Sequence, residues 1–246
     1  NGKKPVRLIK QLCYMLGCSD NDIVMDFFAG SATTQHAIMQ LNLEQDSSIK
    51  VISVQLPEKF DAKSKDQKAG HKFCIDLGLS PNVCEISKER IRRAGKRIKE
   101  DNSDKEGIEN LDTGFRVFKI DSSNMLDVTL SPDEAHPDMF EAQVGNIKKD
   151  RSSEDLLFQV LLDWGVDLSL PINREEIEGK EVFFVDGNAL AACFEEGVNE
   201  DFVKKLAEKQ PLRVVFRDDG FVSDSVKINV EQIFKLKSPA TDIKVI

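Results

Sequence analysis

Residues 23–34, which read IVMDFFAGSATT, decide the fold that we expect for this chain. The apolar first half predicts a short buried strand, which stops at the small residues 29–31. A helical pattern follows over about 33–41, and a second apolar strand over 51–55 is halted by Pro57. Strand, turn, helix and strand form a βαβ unit, so the sequence predicts a parallel sheet.

Further elements are predicted on both sides of this unit. A helix is expected over 5–16, because its apolar residues repeat at helical spacing and Gly17 can end it. Residues 87–100 predict an amphipathic, strongly basic helix, whose charged face is either solvated or in contact with phosphate groups. Residues 115–120 predict a strand.

A second region is expected after an aperiodic stretch. We predict a first domain over 1–126, a linker over 127–151 and a mixed α/β region over 152–246, which opens with the capping-box signature SSED. We predict one helix directly after that signature and two more over 201–209 and about 226–234. The predicted strands of this region cover 182–185, 212–216 and 243–246.

Charge is distributed unevenly along the chain. The net charge is -9, but residues 1–100 carry 17 basic against 12 acidic residues, whereas residues 101–246 carry 17 against 31. Only the first part is therefore expected to suit a nucleic-acid backbone. The five cysteines and three histidines show no metal-ligand or disulfide spacing, so no metal site is indicated. The absence of a long apolar run predicts no membrane span and a cytoplasmic protein, and the missing initial Met suggests a piece of a longer chain.

The turn after the first strand is the candidate binding site. Small residues let a ligand approach the backbone, and the N-terminus of the following helix presents unpaired N–H groups and a partial positive charge. Such a turn favours a carboxylate. Glu58 follows the second strand, where a βαβ site places an acid against ribose hydroxyls. A nicotinamide site is disfavoured because Gly30 is the only glycine of the turn.

The amino-acid sequence of this turn is more specific than its predicted strand-turn-helix shape. D-F-F-A-G-S-x-T-T over 26–34 resembles the S-adenosylmethionine-binding motif of the amino-methyltransferases that act on DNA, except that Ala32 replaces the usual glycine. K-P-x-x-L, residues 4–8, resembles the element of that family that lies against the methionine end of the cofactor. The resemblance implies S-adenosylmethionine as the cofactor, with binding residues Lys4, Pro5, Asp26, Phe27, Phe28, Ala29, Gly30, Ser31, Thr33 and Glu58.

The order of these motifs resembles the β-class methyltransferases, in which the catalytic D-P-P-Y motif comes first. In such enzymes the target base is flipped out, its amine is held by the Asp, and the aromatic residue stacks on it. No Pro-Pro pair occurs here, and Tyr14 has no neighbouring proline. We therefore expect no catalytic residue in this chain, a catalytic motif upstream of residue 1, and a fragment that is inactive alone. The expected fold class is α/β, with a partial Rossmann-like methyltransferase sheet and a smaller mixed α/β C-terminal region.

A closer resemblance, to the modification subunits of type III restriction-modification systems, spans nearly the whole chain. It is carried by residues 86–95, 111–119, 121–124, 216–221 and 227–234. It implies an adenine N6 methyltransferase acting on a short asymmetric site in double-stranded DNA, a restriction subunit as partner, and a homodimer of modification subunits. Two other hypotheses stay open: an interaction module that docks a restriction subunit or a second modification subunit, and an RNA or small-molecule methyltransferase.

Overall fold

The structure is a computed structural model that describes residues 4–126 and 146–246. The chain divides between Val117 and Phe118 into two compact units, called here the first and the second unit. This division falls earlier in the chain than residue 126, where we predicted the first domain to end. Most of the predicted linker, residues 127–145, lies outside the described residues.

The chain is mixed α/β. Its helices are Val6–Leu16 (α1), Thr33–Gln45 (α2), Lys68–Asp76 (α3), Val83–Asp101 (α4), Ser153–Asp163 (α5), Glu200–Glu208 (α6) and Asp224–Lys237 (α7). Its strands are Ile23–Asp26 (β1), Lys50–Ser53 (β2), Ile172–Ile177 (β3), Lys180–Val185 (β4), Leu190–Cys193 (β5), Arg213–Phe216 (β6) and Asp242–Val245 (β7). No helix within the described ranges combines the length and the apolarity that crossing a bilayer requires.

The first unit contains the predicted βαβ arrangement. β1 and β2 pair in parallel, with Asp26 opposite Ser53, and α2 connects them. α1 follows Pro5 and ends at Gly17, whose left-handed backbone (φ 70°) lets its own N–H and that of Cys18 bond to carbonyls of the last turn. These parts of the prediction are confirmed.

Helices cover one face of this small sheet, whereas residues on its other face are largely exposed. Val24 and Val51 pack against α1 and α2 around Ile38, and α4 packs against α2. Ile23 and Met25, which point the other way, are 62% and 48% exposed. The prediction of a buried strand was therefore wrong: β1 has a core on one side only, and it ends at Asp26 before the two phenylalanines.

Two other differences from the sequence prediction occur in the first unit. Residues 115–120 have strand-like composition but pair with no strand among the described residues, although Phe115 packs against the α2–α4 contact. A strand needs a ladder partner, which composition cannot supply. The helix α3 was not predicted, because Gly70 and His71 weaken its helical pattern.

The second unit is built on a five-stranded sheet in the order β3-β4-β5-β6-β7. β4 pairs antiparallel with both β3 and β5, whereas β5, β6 and β7 are parallel to one another. Alternate residues of β4 point to opposite cores: Val182 and Phe184 pack with α6 and α7, whereas Phe183 and Val185 pack with α5. The sheet is thus covered on both faces by the helices of its own unit.

Several predictions for this unit are confirmed. α5 begins at the expected capping box, in which the Ser152 hydroxyl accepts from the Asp155 N–H and the Asp155 carboxylate accepts from the Ser152 N–H. The predicted strands at 182–185, 212–216 and 243–246 and the helices at 201–209 and 226–234 are present with small shifts at their ends. The strands β3 and β5 were not predicted.

Candidate functional site

The turn between β1 and α2 lies at the carboxyl end of the parallel pair. The Val54 N–H donates to the Asp26 carbonyl at 2.8 Å, and the Ala29 N–H donates back to the Val54 carbonyl at 3.2 Å. These two bonds extend the pairing of the strands into the turn. The chain then reverses through two left-handed residues, Gly30 (φ 52°) and Ala32 (φ 56°).

The Asp26 side chain braces the inside of this turn. One carboxylate oxygen accepts a 2.6 Å hydrogen bond from the Thr34 hydroxyl, and the other accepts a 3.2 Å bond from the Phe28 N–H. The predicted site carboxylate therefore joins the end of β1 to the first turn of α2. Thr34 itself is buried.

The N-terminus of α2 presents backbone N–H groups beside the turn. The first intrahelical bond runs from the His36 N–H to the Ala32 carbonyl at 3.3 Å, so the N–H groups of residues 33–35 precede the helical ladder. Within the described part of the chain, no side chain caps this helix. The Gly30 N–H is engaged, because it donates to the Gln55 side chain at 2.8 Å.

Side chains from α4 hold the turn from the opposite side. The Arg90 guanidinium donates to the hydroxyls of Ser31 and Thr33 at 2.8 and 2.7 Å and to the Ser31 carbonyl at 3.3 Å. The Ser87 hydroxyl shares its proton between the Gly30 carbonyl and, at 2.8 Å, the Val83 carbonyl of its own helix. Burial lowers the pKa of Arg90 from its ordinary value, although an arginine stays charged at any physiological pH.

His36 lies close to this cation. Burial lowers the pKa of His36, and the positive charges of Arg90 and Arg97 lower it further. The imidazole of His36 is therefore predominantly neutral at pH 7, so Arg90 is the charged group of this pair.

Five of the ten predicted binding residues are exposed, whereas Ala29 and Thr33 are buried. Phe28 is 82% exposed and Phe27 63%, so both rings are accessible beside the turn. Glu58 is exposed as well, and its carbonyl accepts from the Val83 N–H at the start of α4. Lys4 and Pro5 precede α1 and are exposed.

The structure joins the residues of 26–34 into one turn, but the contacts from Gln55, Ser87 and Arg90 were missed. Arg90 was visible in the sequence only as one charge of a basic helix. Its contacts with Ser31 and Thr33 span 59 and 57 residues, so no local pattern reveals them.

Other basic residues of α4 form ion pairs or ring contacts within the first unit. Arg93 pairs with Glu89 at 2.7 Å, and Arg97 pairs with Asp101 at 3.2 Å. Arg92 lies over the Phe115 ring, 5.6 Å from its centroid. These contacts support the interpretation of this helix as a solvated face packed on the unit.

The polar turn at the end of β6 makes its contacts inside the second unit. Arg217 donates to Asp219 through two nitrogens, and Lys227 pairs with Asp218. Gly220 is required there, because a Cβ at that position would lie 2.9 Å from the Glu195 carbonyl oxygen. These contacts indicate a structural role for this turn within the second unit.

Comparison with known proteins relates the chain to DNA-modifying enzymes. Residues 1–96 match the model of a family described as DNA methylase. The chain is 28% identical over 232 residues to the Mod subunit of the type III restriction-modification enzyme EcoP15I from Escherichia coli, covering 89% of this chain and 31% of that protein. It is 27% identical over 237 residues to the EcoPI Mod subunit of Escherichia phage P1, covering 90% and 32%.

A third relative matches a shorter region. The StyLTI Mod subunit of Salmonella typhimurium is 32% identical over 117 residues, covering 48% of this chain and 16% of that protein. The chain thus spans about a third or less of the length of the curated relatives that it matches. The matches confirm the resemblance that the sequence predicts.

Proposed function

We propose that this chain, which is related to the Mod subunits of type III restriction-modification enzymes, is the cofactor-binding part of a site-specific DNA methyltransferase. The full protein would transfer a methyl group from S-adenosylmethionine to N6 of adenine in double-stranded DNA. The observation that carries the proposal is the strand, turn and helix over 26–34, which lie inside the region that matches the DNA methylase family.

The residues of the turn suit the chemistry of this cofactor. The small side chains of 29–31 and the N–H groups at the start of α2 suit the carboxylate at its methionine end. The exposed rings of Phe27 and Phe28 offer apolar contact to the adenosine, and Glu58 could accept hydrogen bonds from ribose hydroxyls. Lys4 and Pro5 would lie against the methionine end. When bound, S-adenosylmethionine supplies an electrophilic methyl group on its sulfonium.

Catalysis requires residues that this sequence lacks. The chain contains no Pro-Pro pair and hence no D-P-P-Y motif, so the residues that hold a flipped adenine would come from elsewhere in the full protein. We propose that the chain binds cofactor, does not methylate by itself, and acts in the cytoplasm. A restriction subunit and a second modification subunit are the proposed protein partners, and double-stranded DNA is the proposed substrate of the full protein.

A second candidate function is a non-catalytic interaction module. The acidic excess of residues 101–246 favours protein contact over phosphate contact for the second unit. Under this alternative the second unit docks a restriction subunit or another modification subunit, and the turn at 26–34 binds no cofactor.

Calorimetric titration with S-adenosylhomocysteine, the methylation product, separates the two functions. We expect the wild-type chain to bind, and Glu58→Gln to weaken binding by about tenfold because an amide replaces a charged acceptor. Glu106→Gln, also an exposed acid of the first unit, is the control and should bind as the wild type does. A chain that is folded by circular dichroism yet binds nothing at millimolar ligand would exclude the cofactor function.

A further inference from the structure

We propose that Arg90 is a positioning residue for the cofactor turn, which it holds in the shape that receives the carboxylate of the cofactor's amino-acid tail. The inference rests on the proposed function and assigns a role to a residue outside the binding motif. It starts from the fact that one guanidinium nitrogen reaches three oxygens, two on Ser31 and one on Thr33.

The contacts of Arg90 lie on both sides of a residue with an unfavourable backbone. Ala32, between Ser31 and Thr33, has a left-handed conformation (φ 56°), which is strained for an L-residue that carries a Cβ. Such a conformation persists only where surrounding contacts determine it. Arg90 supplies such contacts through the hydroxyls of Ser31 and Thr33. The Ala32 methyl is buried against α4.

A second anchor acts on the preceding residue. The Ser87 hydroxyl, on the same helix as Arg90, donates to the Gly30 carbonyl, and the Gly30 N–H donates to Gln55. The peptide groups on both sides of Gly30 are therefore held by side chains from outside the turn. Arg90 and Ser87 together attach the turn to α4, so the backbone N–H groups at the start of α2 have a defined direction.

The charge of Arg90 affects one end of the ligand more than the other. The guanidinium lies beside the N-terminus of α2, where both the helix dipole and the cation favour an anion. Its half-buried position reduces screening by solvent. S-adenosylmethionine has its carboxylate on the amino-acid tail and no charge on its adenine, so loss of Arg90 should weaken recognition of the tail selectively.

Two ligands that differ in this tail test the inference. Affinities for S-adenosylhomocysteine and for 5′-methylthioadenosine, which lacks the amino-acid tail, would be measured by calorimetry on the wild type, Arg90→Gln and Arg90→Lys. We expect Arg90→Gln to weaken S-adenosylhomocysteine binding by about tenfold and 5′-methylthioadenosine binding by less than about twofold. Arg90→Lys, which keeps the charge, should recover part of the loss.

Arg97→Gln is the matched control, because Arg97 lies on the same helix and pairs with Asp101 rather than with the turn. It should leave both affinities unchanged. Equal weakening of both ligands by Arg90→Gln would indicate a general structural role and overturn the inference while leaving the proposed function intact. A folded wild type that binds neither ligand would overturn the proposed function and the inference with it. If Arg90→Gln does not fold, the smaller loss expected for Arg90→Lys should still affect S-adenosylhomocysteine and not 5′-methylthioadenosine, and equal weakening of both ligands would overturn the inference.

Hydrogen exchange without ligand gives a second readout. Peptides covering 29–37 should exchange faster in Arg90→Gln than in Arg97→Gln, whereas peptides of the second unit should not change. Equal exchange of 29–37 in the two variants would show that Arg90 does not hold the turn, and would overturn the inference even if cofactor binds.

Discussion

The hydroxyl of Thr34 donates a 2.6 Å hydrogen bond to the carboxylate of Asp26 and so ties the first turn of α2 to the end of β1. Thr34→Val keeps the shape of the side chain and removes the donor. A hydrogen bond to a charged group contributes about 1.5–3 kcal/mol, so the first unit should lose free energy of unfolding in that range. Urea denaturation followed by circular dichroism measures the loss. Thr34→Ser, which keeps the hydroxyl, should lose clearly less; equal losses would show that the hydroxyl contributes no more than the methyl group.

Glycine at position 32 should be tolerated although the site is buried. Ala32→Gly removes a left-handed strain of about 1–2 kcal/mol and loses about 0.8 kcal/mol of methyl burial, so stability should stay equal or rise by up to about 1 kcal/mol. Ala37→Gly, a buried alanine inside α2, should instead lose about 2 kcal/mol from helix propensity and burial. Thermal or urea unfolding of the two variants compares them directly. A loss at Ala32 as large as at Ala37 would contradict the strained backbone.

The capping box of α5 should contribute measurably to the second unit. Ser152→Ala removes the acceptor for the Asp155 N–H and should cost about 0.5–2 kcal/mol, whereas Ser153→Ala, one residue later, should cost little. Hydrogen bonds from Ser152 lower the pKa of Asp155, so NMR titration should show that pKa rising in Ser152→Ala. A carboxyl whose pKa is lower in the folded than in the unfolded state stabilises the folded state at pH values above its unfolded pKa. This stabilisation is lost as the pH falls through the folded pKa. The stability difference between wild type and Ser152→Ala should therefore shrink below about pH 4.

Alkaline pH should destabilise the second unit through Cys193. Burial raises the pKa of this thiol from 9.0 to about 11, so the folded state keeps a proton that the unfolded state releases. The contribution of the protonated Cys193 thiol to the free energy of unfolding is complete below pH 9 and is lost as the pH rises to about 11. The stability advantage of wild type over Cys193→Ala should decline by about 2–3 kcal/mol across that interval.

Val214→Ala is the control for this pH dependence, since Val214 is a buried, non-titrating residue of the neighbouring strand β6. Its difference from the wild type should not vary between pH 8 and 11. Chemical denaturation at each pH gives both differences. A Cys193→Ala difference that is as constant as that of Val214→Ala would show that the thiol titrates normally.

Elements with local signals could be predicted from the sequence, and elements that depend on a partner could not. α1 has Pro5 before its first turn and Gly17 after its last, and α5 has its capping box. β5 has the small-residue sequence LAAC, and β3 has charged residues along an edge of the sheet, so neither shows the usual strand pattern. Their identity comes from pairing with β4.

The candidate site also has a part with a local sequence signal and a part without one. The turn at 26–34 was predictable because its small residues and its motif are contiguous. The brace from Arg90 was not, because it depends on the packing of α4 against α2, which no local pattern encodes. The exposed face of β1 was mispredicted for a related reason: the apolar content of Ile23 and Met25 predicts burial, whereas burial requires a covering element.

The two units contain different natural chromophores. Tyr14, the only tyrosine of the chain, donates to Glu44 at 3.0 Å in the first unit. Trp164, the only tryptophan, ends α5 in the second unit, where the cations of Arg213 and Lys244 approach its ring at 5.1 and 5.3 Å. Fluorescence excited at the red edge of the tryptophan band therefore reports only on the second unit. A single unlabelled sample can show whether the second unit melts in step with the whole chain.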